Sequence, residues 1–239
     1  MKKIFNINKE YNRLNINILG IKLSFLTNIN ENLNKYIPLG TNCFVRVKLS
    51  HFGIKPKKKF GENTCPFDLC VTPIDSVEQI LKNDFKTYFD HLEYSNVQNM
   101  WINPFYKMQY PHDRDIKSKD RFIKRYSDRI NNFRKILTRQ KNLIFISAVF
   151  NKEIKTSTLN SIYESLLKYR KEKAFKYYVF NFNETNENLL SEDETLNKNI
   201  CYKEFDSDIS GYRDKWNIAK YLTIKSEQTV KVIASMVLE

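Results

Sequence analysis

The layout of the fold is most visible at residues 36–43, which read YIPLGTNC. The apolar start of this run predicts a short strand, and the glycine with the two polar residues after it predicts a tight turn. A helix is expected to begin near Cys43, because apolar residues then recur at the spacing of one helical face as far as Gly53, a natural helix stop. Strand, turn and helix in this order are typical of an α/β protein.

The rest of the chain continues the alternation. Apolar periodicity predicts helices over residues 75–89, with Asp75 or Ser76 as the N-cap, and over residues 118–137 and 158–169. An apolar run at residues 143–150 predicts a central strand, with further strands at residues 175–182 and 200–205. We therefore predict an α/β fold, with α+β as the alternative, in which a central mixed sheet is flanked by helices.

Four other segments are interpreted by composition. Residues 101–105 form an aromatic loop, and residues 183–199, acidic and rich in Asn, form a mobile surface loop. Residues 212–221 are a helix candidate, and residues 229–237 could be helix or strand. At the N-terminus, alternation at residues 14–19 and 21–25 predicts two short strands, so we expect a β-hairpin appendage over residues 1–35 and one catalytic-type domain over residues 36–239.

Composition limits the class of protein. A formal charge of +13 is spread along the chain, without a nucleic-acid-binding motif, so specific nucleic-acid binding is not expected, whereas contact with an anionic polymer or a membrane surface stays open. No run is long and apolar enough to span a membrane, and Met1-Lys2-Lys3 does not lead into a signal peptide. We expect a cytoplasmic protein with reduced thiols and neither a metal site nor a cofactor, because its 4 cysteines and 3 histidines lack ligand spacing.

Cys43 is the candidate nucleophile. At the start of a helix, unpaired N–H groups and the positive end of the helix dipole stabilise a thiolate, and they can also bind an oxyanion. Asn42 could donate a further hydrogen bond to that oxyanion. The alternative is that Cys43 is a small buried helix residue, which is common for free cysteine.

The candidate base is His112, chosen by elimination. His51 lies eight residues further along the same helix, roughly 12 Å from Cys43 along its axis. His91 follows a helix end, where a cation simply complements the dipole. His112 lies in a loop where its ring could face a cleft, although a surface histidine would have the same sequence context.

Carboxylate and amide groups complete the predicted site. Asp68 could orient His112, or it could cap a turn instead. Asn151, directly after the central strand, is a second candidate for orienting the base, because functional groups gather at the carboxyl ends of strands in open α/β sheets. We expect the substrate-binding residues to be the following: Gly40, Thr41, Phe67, Asp113 and Asn151.

Several motifs occur together along the chain: LGTNC at residues 39–43, LSHFG at 49–53, PFD at 66–68, NDF at 83–85 and His112-Asp113, with Val77 and Leu81 between them. In this combination they resemble an uncharacterised bacterial family of papain-like cysteine peptidases. It implies that Cys43 is the nucleophile, His112 the base and Asp68 a site residue. The family usually has an aromatic residue after Pro-Phe-Asp, where this chain has Leu69, so the pocket wall is expected to differ.

These observations predict a cysteine hydrolase or acyl transferase acting on a peptide, acyl or glycan substrate through a thioester. The fold is then papain-like, or a doubly wound three-layer sheet in which Cys replaces the usual Ser. Residues 12–25 are also similar to leader segments of surface-polysaccharide biosynthesis proteins. The alternative function is therefore a glycan-modifying or anionic-polymer-binding protein of such a pathway, without cysteine catalysis.

Overall fold

The computed structural model describes residues 5–10, 13–18, 21–26, 34–51, 54–55, 62–183 and 189–206. Near the N-terminus, three strands pair antiparallel in chain order: β1 (Phe5–Glu10), β2 (Arg13–Ile18) and β3 (Ile21–Leu26). Strands β2 and β3 match the two predicted strands, and β1 adds a third. The division into an appendage and a single domain stays a prediction.

Helices and strands alternate through the rest of the described chain, numbered here in chain order. The main strands and helices are β4 (Lys35–Pro38), α1 (Phe44–His51), α2 (Ile74–Lys82), α3 (Lys119–Arg139), β8 (Leu143–Phe150), α4 (Thr156–Tyr169), β10 (Lys176–Asn183) and β12 (Ile200–Asp206). The short strands are β5 (Glu93–Ser95), β6 (Met100–Asn103), β7 (Met108–Tyr110), β9 (Ile154–Lys155) and β11 (Leu190–Ser191). The predicted α/β class is confirmed. None of the described helices combines the length and the apolar content needed to cross a membrane.

The main sheet has the strand order β12-β10-β8-β4, and each neighbouring pair is parallel. The expected mixed sheet is therefore a parallel one over the described strands. Parallel pairing requires a crossover connection that returns the chain to the starting edge, and α4 lies in the crossover from β8 to β10. The four strands consequently end at one common edge of the sheet, which we call the carboxyl edge.

Helices cover both faces of the sheet. On one face, Phe145 and Val149 of β8 join a hydrophobic cluster with apolar residues of α2, α3 and α4. On the other face, Ile144 and Ile146 pack in a second cluster with residues of α1, among them Phe44. Because successive residues of a strand point to opposite faces, the continuous apolar run of β8 is explained by burial on both sides.

Both ends of α2 differ from the prediction, which continued the helix to residue 89, whereas α2 ends at Lys82. The helix begins at Ile74 with Pro73 as its N-cap residue, and neither Asp75 nor Ser76 caps it. Proline suits the start of a helix because its missing N–H has no partner there in any case. The Ser76 hydroxyl instead donates to the Tyr106 carbonyl at 2.7 Å, and Asp75 forms an ion pair with Lys152.

Two segments interpreted as loops contain strands. The aromatic segment belongs to an antiparallel sheet of order β5-β6-β7. Within residues 183–199, β11 pairs with β9, and the Asp193 carboxylate accepts a hydrogen bond from the Ser157 N–H at 2.9 Å. The segment therefore supplies the first turn of α4 with a cap from a distant part of the chain, a contact that composition does not reveal. The predicted elements at residues 212–221 and 229–237 lie outside the described residues.

Candidate active site

The turn after β4 has a backbone conformation that requires glycine. Gly40 has φ +65°, and a Cβ atom there would lie 2.6 Å from Val77 Cγ2 and 2.8 Å from the Thr72 carbonyl oxygen. Thr41 also has a positive φ, 39°. Two backbone hydrogen bonds hold the turn against Thr72: the Thr41 N–H donates to the Thr72 carbonyl at 3.0 Å, and the Thr72 N–H donates to Thr41 at 3.2 Å. Gly40 and Thr41 thus shape the approach to Cys43, and no ligand contact is needed to explain them.

Cys43 lies at the N-terminal end of α1, on the carboxyl edge, as the sequence predicted. Its carbonyl accepts the hydrogen bond of the Val47 N–H at 2.9 Å, so Cys43 is the residue from which the helix starts. The side chain is buried, and burial raises the pKa of the thiol, with the residue's own backbone N–H acting in the opposite direction. The expected lowering of the pKa by the helix terminus is therefore outweighed. In this conformation the thiol is protonated at neutral pH.

Asn42 caps the same helix. Its Oδ1 accepts a hydrogen bond from the Phe44 N–H at 2.8 Å, which satisfies one of the helix N–H groups that lack a carbonyl partner. That N–H is consequently engaged, and an oxyanion would have to use the N–H groups of the next residues of the first turn. A donor role for the Asn42 amide nitrogen stays a prediction.

His112 lies in the loop between β7 and α3. Backbone pairing brings this loop beside residues 40–42, the turn before the candidate nucleophile Cys43, which we call the nucleophile turn. The turn at Thr41 pairs with Thr72, and the preceding residue, Val71, pairs with Gln109 of β7 through hydrogen bonds of 2.8 and 3.0 Å. Since paired backbones lie about 4.8 Å apart, Thr41 and Gln109 are separated by about 10 Å. His112 follows Gln109 by three residues, so its loop reaches the same side of the sheet.

The His112 ring is exposed and does not yet contact the thiol. Within the described part of the chain, no hydrogen bond joins the ring to Cys43. Partial desolvation lowers the pKa of His112, Asp113 raises it, and Arg129 and Arg114 lower it. The net lowering leaves the imidazole neutral at neutral pH, which is the form that a general base needs.

Asp113 has a structural role instead of the predicted contact with substrate. Its carboxylate is fully buried and accepts four hydrogen bonds from α3: from Arg125 Nη1 at 2.6 Å, Tyr126 Oη at 2.8 Å, and Arg129 Nη1 and Nη2 at 3.1 and 3.2 Å. Burial alone would raise the pKa of Asp113, but Arg129, Arg125 and Tyr126 hold it below its usual range. The charged carboxylate ties the His112 loop to α3.

Asp68 does not pair with His112. Its fully buried carboxylate lies 3.6 Å from Lys55 Nζ and 4.0 Å from Arg46 Nε, and it accepts a hydrogen bond from the Cys65 N–H at 3.1 Å. Lys55 also lies 3.4 Å from Glu62, and its Nζ donates to the Tyr36 carbonyl of β4. No local sequence pattern indicates this buried ionic cluster, because its members come from four separate segments.

Asp68 therefore contacts the helix that starts at Cys43, and it has no contact with His112 among the described residues. Arg46 lies three residues after Cys43, on the same side of the helix, and Lys55 follows the helix end. The next candidate in the loop, Phe67, is fully buried and packs edge-on against Phe133. It anchors the loop in the core and offers no surface to a substrate, which corrects its predicted role.

Asn151 is exposed directly after β8 and has a positive φ of 45°. Because β8 is the neighbour of β4 and parallel to it, Asn151 shares the carboxyl edge with the nucleophile turn. Its place is compatible with either predicted role, substrate contact or orientation of the base, and both stay predictions.

The other cysteines are less suited to chemistry. Burial raises the pKa of Cys65 and of Cys70 to about 12, and both side chains are fully buried. All four cysteines are free thiols. Among the described residues, no group of three or more His, Cys, Asp and Glu side chains is arranged to hold a metal ion.

Comparison with known proteins places the chain in a family. The model of the family described as "Putative papain-like cysteine peptidase (DUF1796)" matches residues 34–185, well over half of the chain. This range contains the nucleophile turn, the Asp68 loop, the His112 loop and Asn151. No curated protein and no solved structure matches the chain.

Proposed function

Because the chain belongs to this family of putative papain-like cysteine peptidases, we propose that it is a cysteine-nucleophile hydrolase or acyl transferase that works through a thioester on Cys43. The observation that carries the proposal is the place of Cys43, at the start of α1 on the carboxyl edge of a parallel sheet. Helix N–H groups at such a position can bind an oxyanion, and the edge collects polar groups from neighbouring strands.

The proposed reaction has two stages. His112 accepts the proton of the Cys43 thiol as Sγ attacks the carbonyl carbon, and the carbonyl oxygen becomes an oxyanion held by N–H groups of the first turn of α1. The leaving group departs with the proton from His112, and an acyl thioester remains. Water or a hydroxyl nucleophile then attacks the thioester, gives its proton to His112 and releases the thiolate, which is reprotonated.

For the Cys43 thiol and the His112 imidazole to come into contact, part of the site must move. The thiol is buried and the imidazole is exposed, so the His112 loop or the nucleophile turn must shift for the proton to pass directly. Apo structures commonly show long or incomplete catalytic contacts that tighten when substrate binds. Peptide, acyl and glycan substrates all present a carbonyl or a hydroxyl to such a site.

An acylation assay tests the proposal. With p-nitrophenyl acetate as the probe, the full chain should release p-nitrophenolate and carry an acetyl group on Cys43, located by peptide mass spectrometry. Cys43→Ala should abolish both signals, whereas Cys201→Ala, at a partly exposed cysteine in β12, should keep them. His112→Ala should slow acylation by about 10²-fold or more, as expected for loss of a general base, and His91→Ala should not. Normal turnover by Cys43→Ala would refute the proposal.

The outcome of the second stage separates hydrolase from transferase. A hydrolase returns acetate with water as the acceptor. A transferase shows slow hydrolysis and passes the acetyl group to an added sugar or peptide amine. Both outcomes require the same thioester on Cys43.

A second candidate is an anionic-polymer-binding protein of a surface-polysaccharide pathway, without cysteine catalysis. It is favoured by the raised pKa of the buried Cys43 thiol and by exposed cations of α3 that form no salt bridge with another described residue, namely Lys119, Arg121, Lys135 and Arg139. This candidate predicts binding to a polyanion such as heparin that weakens with salt and survives Cys43→Ala. Charge-reversal of Arg121 and Lys135 should abolish that binding, and acylation at Cys43 would argue against the candidate.

A further inference from the structure

The loop that carries His112 is held by one carboxylate. Asp113 follows His112 directly, and all four of its hydrogen bonds come from side chains of α3, at residues 125, 126 and 129. The loop backbone also turns at this point, since the Asp113 N–H donates to the Tyr110 carbonyl at 3.3 Å and the Ile116 N–H donates to the Asp113 carbonyl at 3.1 Å. We call Asp113 together with Arg125, Tyr126 and Arg129 the clamp; it fixes the position directly after His112.

The two arginines of the clamp differ in their surroundings. Arg129 is buried and offers both terminal nitrogens to the carboxylate, while its guanidinium carbon lies 4.3 Å from the centre of the Tyr126 ring. Arg125 gives one short hydrogen bond, and 39% of its side chain is exposed. A guanidinium group that donates from two nitrogens fixes the plane of the carboxylate, whereas a single solvent-exposed donor does not.

We propose that Arg129 is a positioning residue for His112: by clamping Asp113 it fixes the loop that presents the imidazole and cancels the carboxylate charge beside it. The proposal deepens the function proposed above, in which His112 is the base. Without Arg129, the adjacent carboxylate would favour the protonated imidazole, which cannot accept the proton of the thiol. The clamp therefore keeps Asp113 in place as the anchor of the His112 loop, and it reduces the effect of the Asp113 charge on the imidazole.

The charged groups that act on the imidazole are known from the structure. Asp113 raises the pKa of His112, and Arg129 and Arg114 lower it, after partial desolvation as the first cause. Because the ring is exposed, solvent screens these effects, so measurement at low ionic strength is required. Removal of Asp113 and removal of Arg129 should consequently move the pKa of His112 in opposite directions.

Nuclear magnetic resonance can measure this directly. The chain has 3 histidines, so the ring signals of the ¹³C-histidine-labelled full chain can be assigned by the loss of one signal in His112→Asn. Asp113→Asn should lower the pKa of His112, and Arg129→Gln should raise it. Arg129→Lys keeps the cation and should stay nearer to the wild type than Arg129→Gln. Arg125→Gln, the matched control on the same carboxylate, should give a smaller shift than Arg129→Gln.

The possible results are distinct. Opposite shifts in Asp113→Asn and Arg129→Gln support the proposal, whereas an unchanged pKa in either folded variant, or shifts of the same sign, overturns it. If circular dichroism shows that Arg129→Gln does not fold, the double variant with Asp113→Asn removes both charges and should titrate near the wild type, and any large shift there refutes the cancellation. The titration does not depend on Cys43, so failure of the acylation assay and failure of the clamp are separate results.

Discussion

Substitution of Gly40 by alanine should destabilise the nucleophile turn. The decrease in the free energy of unfolding can be calculated from the structure. Alanine in the left-handed region costs about 1 to 2 kcal/mol. The added Cβ would approach the Thr72 carbonyl to 2.8 Å, below ordinary van der Waals contact, so Thr72 must move away. That movement weakens two backbone hydrogen bonds between Thr41 and Thr72, each of which contributes about 0.5 to 1.5 kcal/mol. We expect Gly40→Ala to lower the free energy of unfolding by about 3 kcal/mol.

A neighbouring substitution provides the control. Thr41 also has a positive φ, and its buried Oγ1 makes no hydrogen bond to any described residue, so Thr41→Gly relieves backbone strain and removes an unsatisfied group. The entropy of the added glycine offsets part of that gain, so the change should stay within about 1 kcal/mol. Urea unfolding followed by far-ultraviolet circular dichroism measures both variants. A loss below about 1 kcal/mol in Gly40→Ala, or an equal loss in both variants, would refute this account of the turn.

Three further predictions concern buried groups. Asp68→Ala leaves Lys55 with one carboxylate fewer in a buried site and should cost about 3 to 5 kcal/mol by urea titration, whereas Asp68→Asn should cost less; equal stabilities would contradict the role of the charge. Arg170 is 1% exposed and donates to five carbonyls, so Arg170→Met should destabilise by about 3 kcal/mol or more; a neutral effect would show that those carbonyls find other partners. Iodoacetamide should alkylate Cys43 at a rate that still rises above pH 9.0, because burial raises the pKa of the thiol above that value; a plateau near pH 7, measured by peptide mass spectrometry, would indicate a preformed thiolate.

The elements predicted from sequence are those specified by local patterns. The strand, turn and helix at residues 36–51 follow from apolar spacing and from Gly40, whose positive φ and close neighbours disfavour any other residue. The apolar run of β8 predicted a central strand, and its burial on both faces explains that run. In each case the residues that determine the element lie within it.

Contacts between distant segments could not be predicted in the same way. The Asp68 carboxylate accepts the Cys65 N–H, as the predicted turn-capping alternative requires. Its contacts with Lys55 and Arg46, two of 40 positive residues, could not be predicted from the sequence. The cap of α4 by Asp193 comes from 36 residues away. Local periodicity does not predict such partners, because they come together only in the tertiary structure.

The motif NDF at residues 83–85, which contributes to the family resemblance, is explained by its role in the structure. Asp84 and Phe85 both have positive φ values, 50° and 58°, just after α2 ends. Phe85 packs against Phe67, and the Asp84 carboxylate accepts hydrogen bonds from Arg134 and Tyr169. Residues in so strained a conformation persist only where the surroundings hold them. Phe85 is held by core contacts, and Asp84, whose side chain is half exposed, is held by its hydrogen bonds at the surface.

The Cys43 thiol and the His112 imidazole, the two groups of the proposed reaction, are both neutral in this conformation. This determines at which stage the free energy for proton transfer must be supplied. The ordinary pKa values of the thiol and the imidazole are 9.0 and 6.5, and burial moves them further apart. Transfer of the proton from Cys43 to His112 therefore costs more than roughly 3 kcal/mol, the equivalent of the ordinary difference. Attraction between thiolate and imidazolium can offset this cost only at contact distance, which the exposed ring has not reached. The ion pair should consequently form after substrate has brought the two loops together, so the chemistry would be coupled to binding at the carboxyl edge.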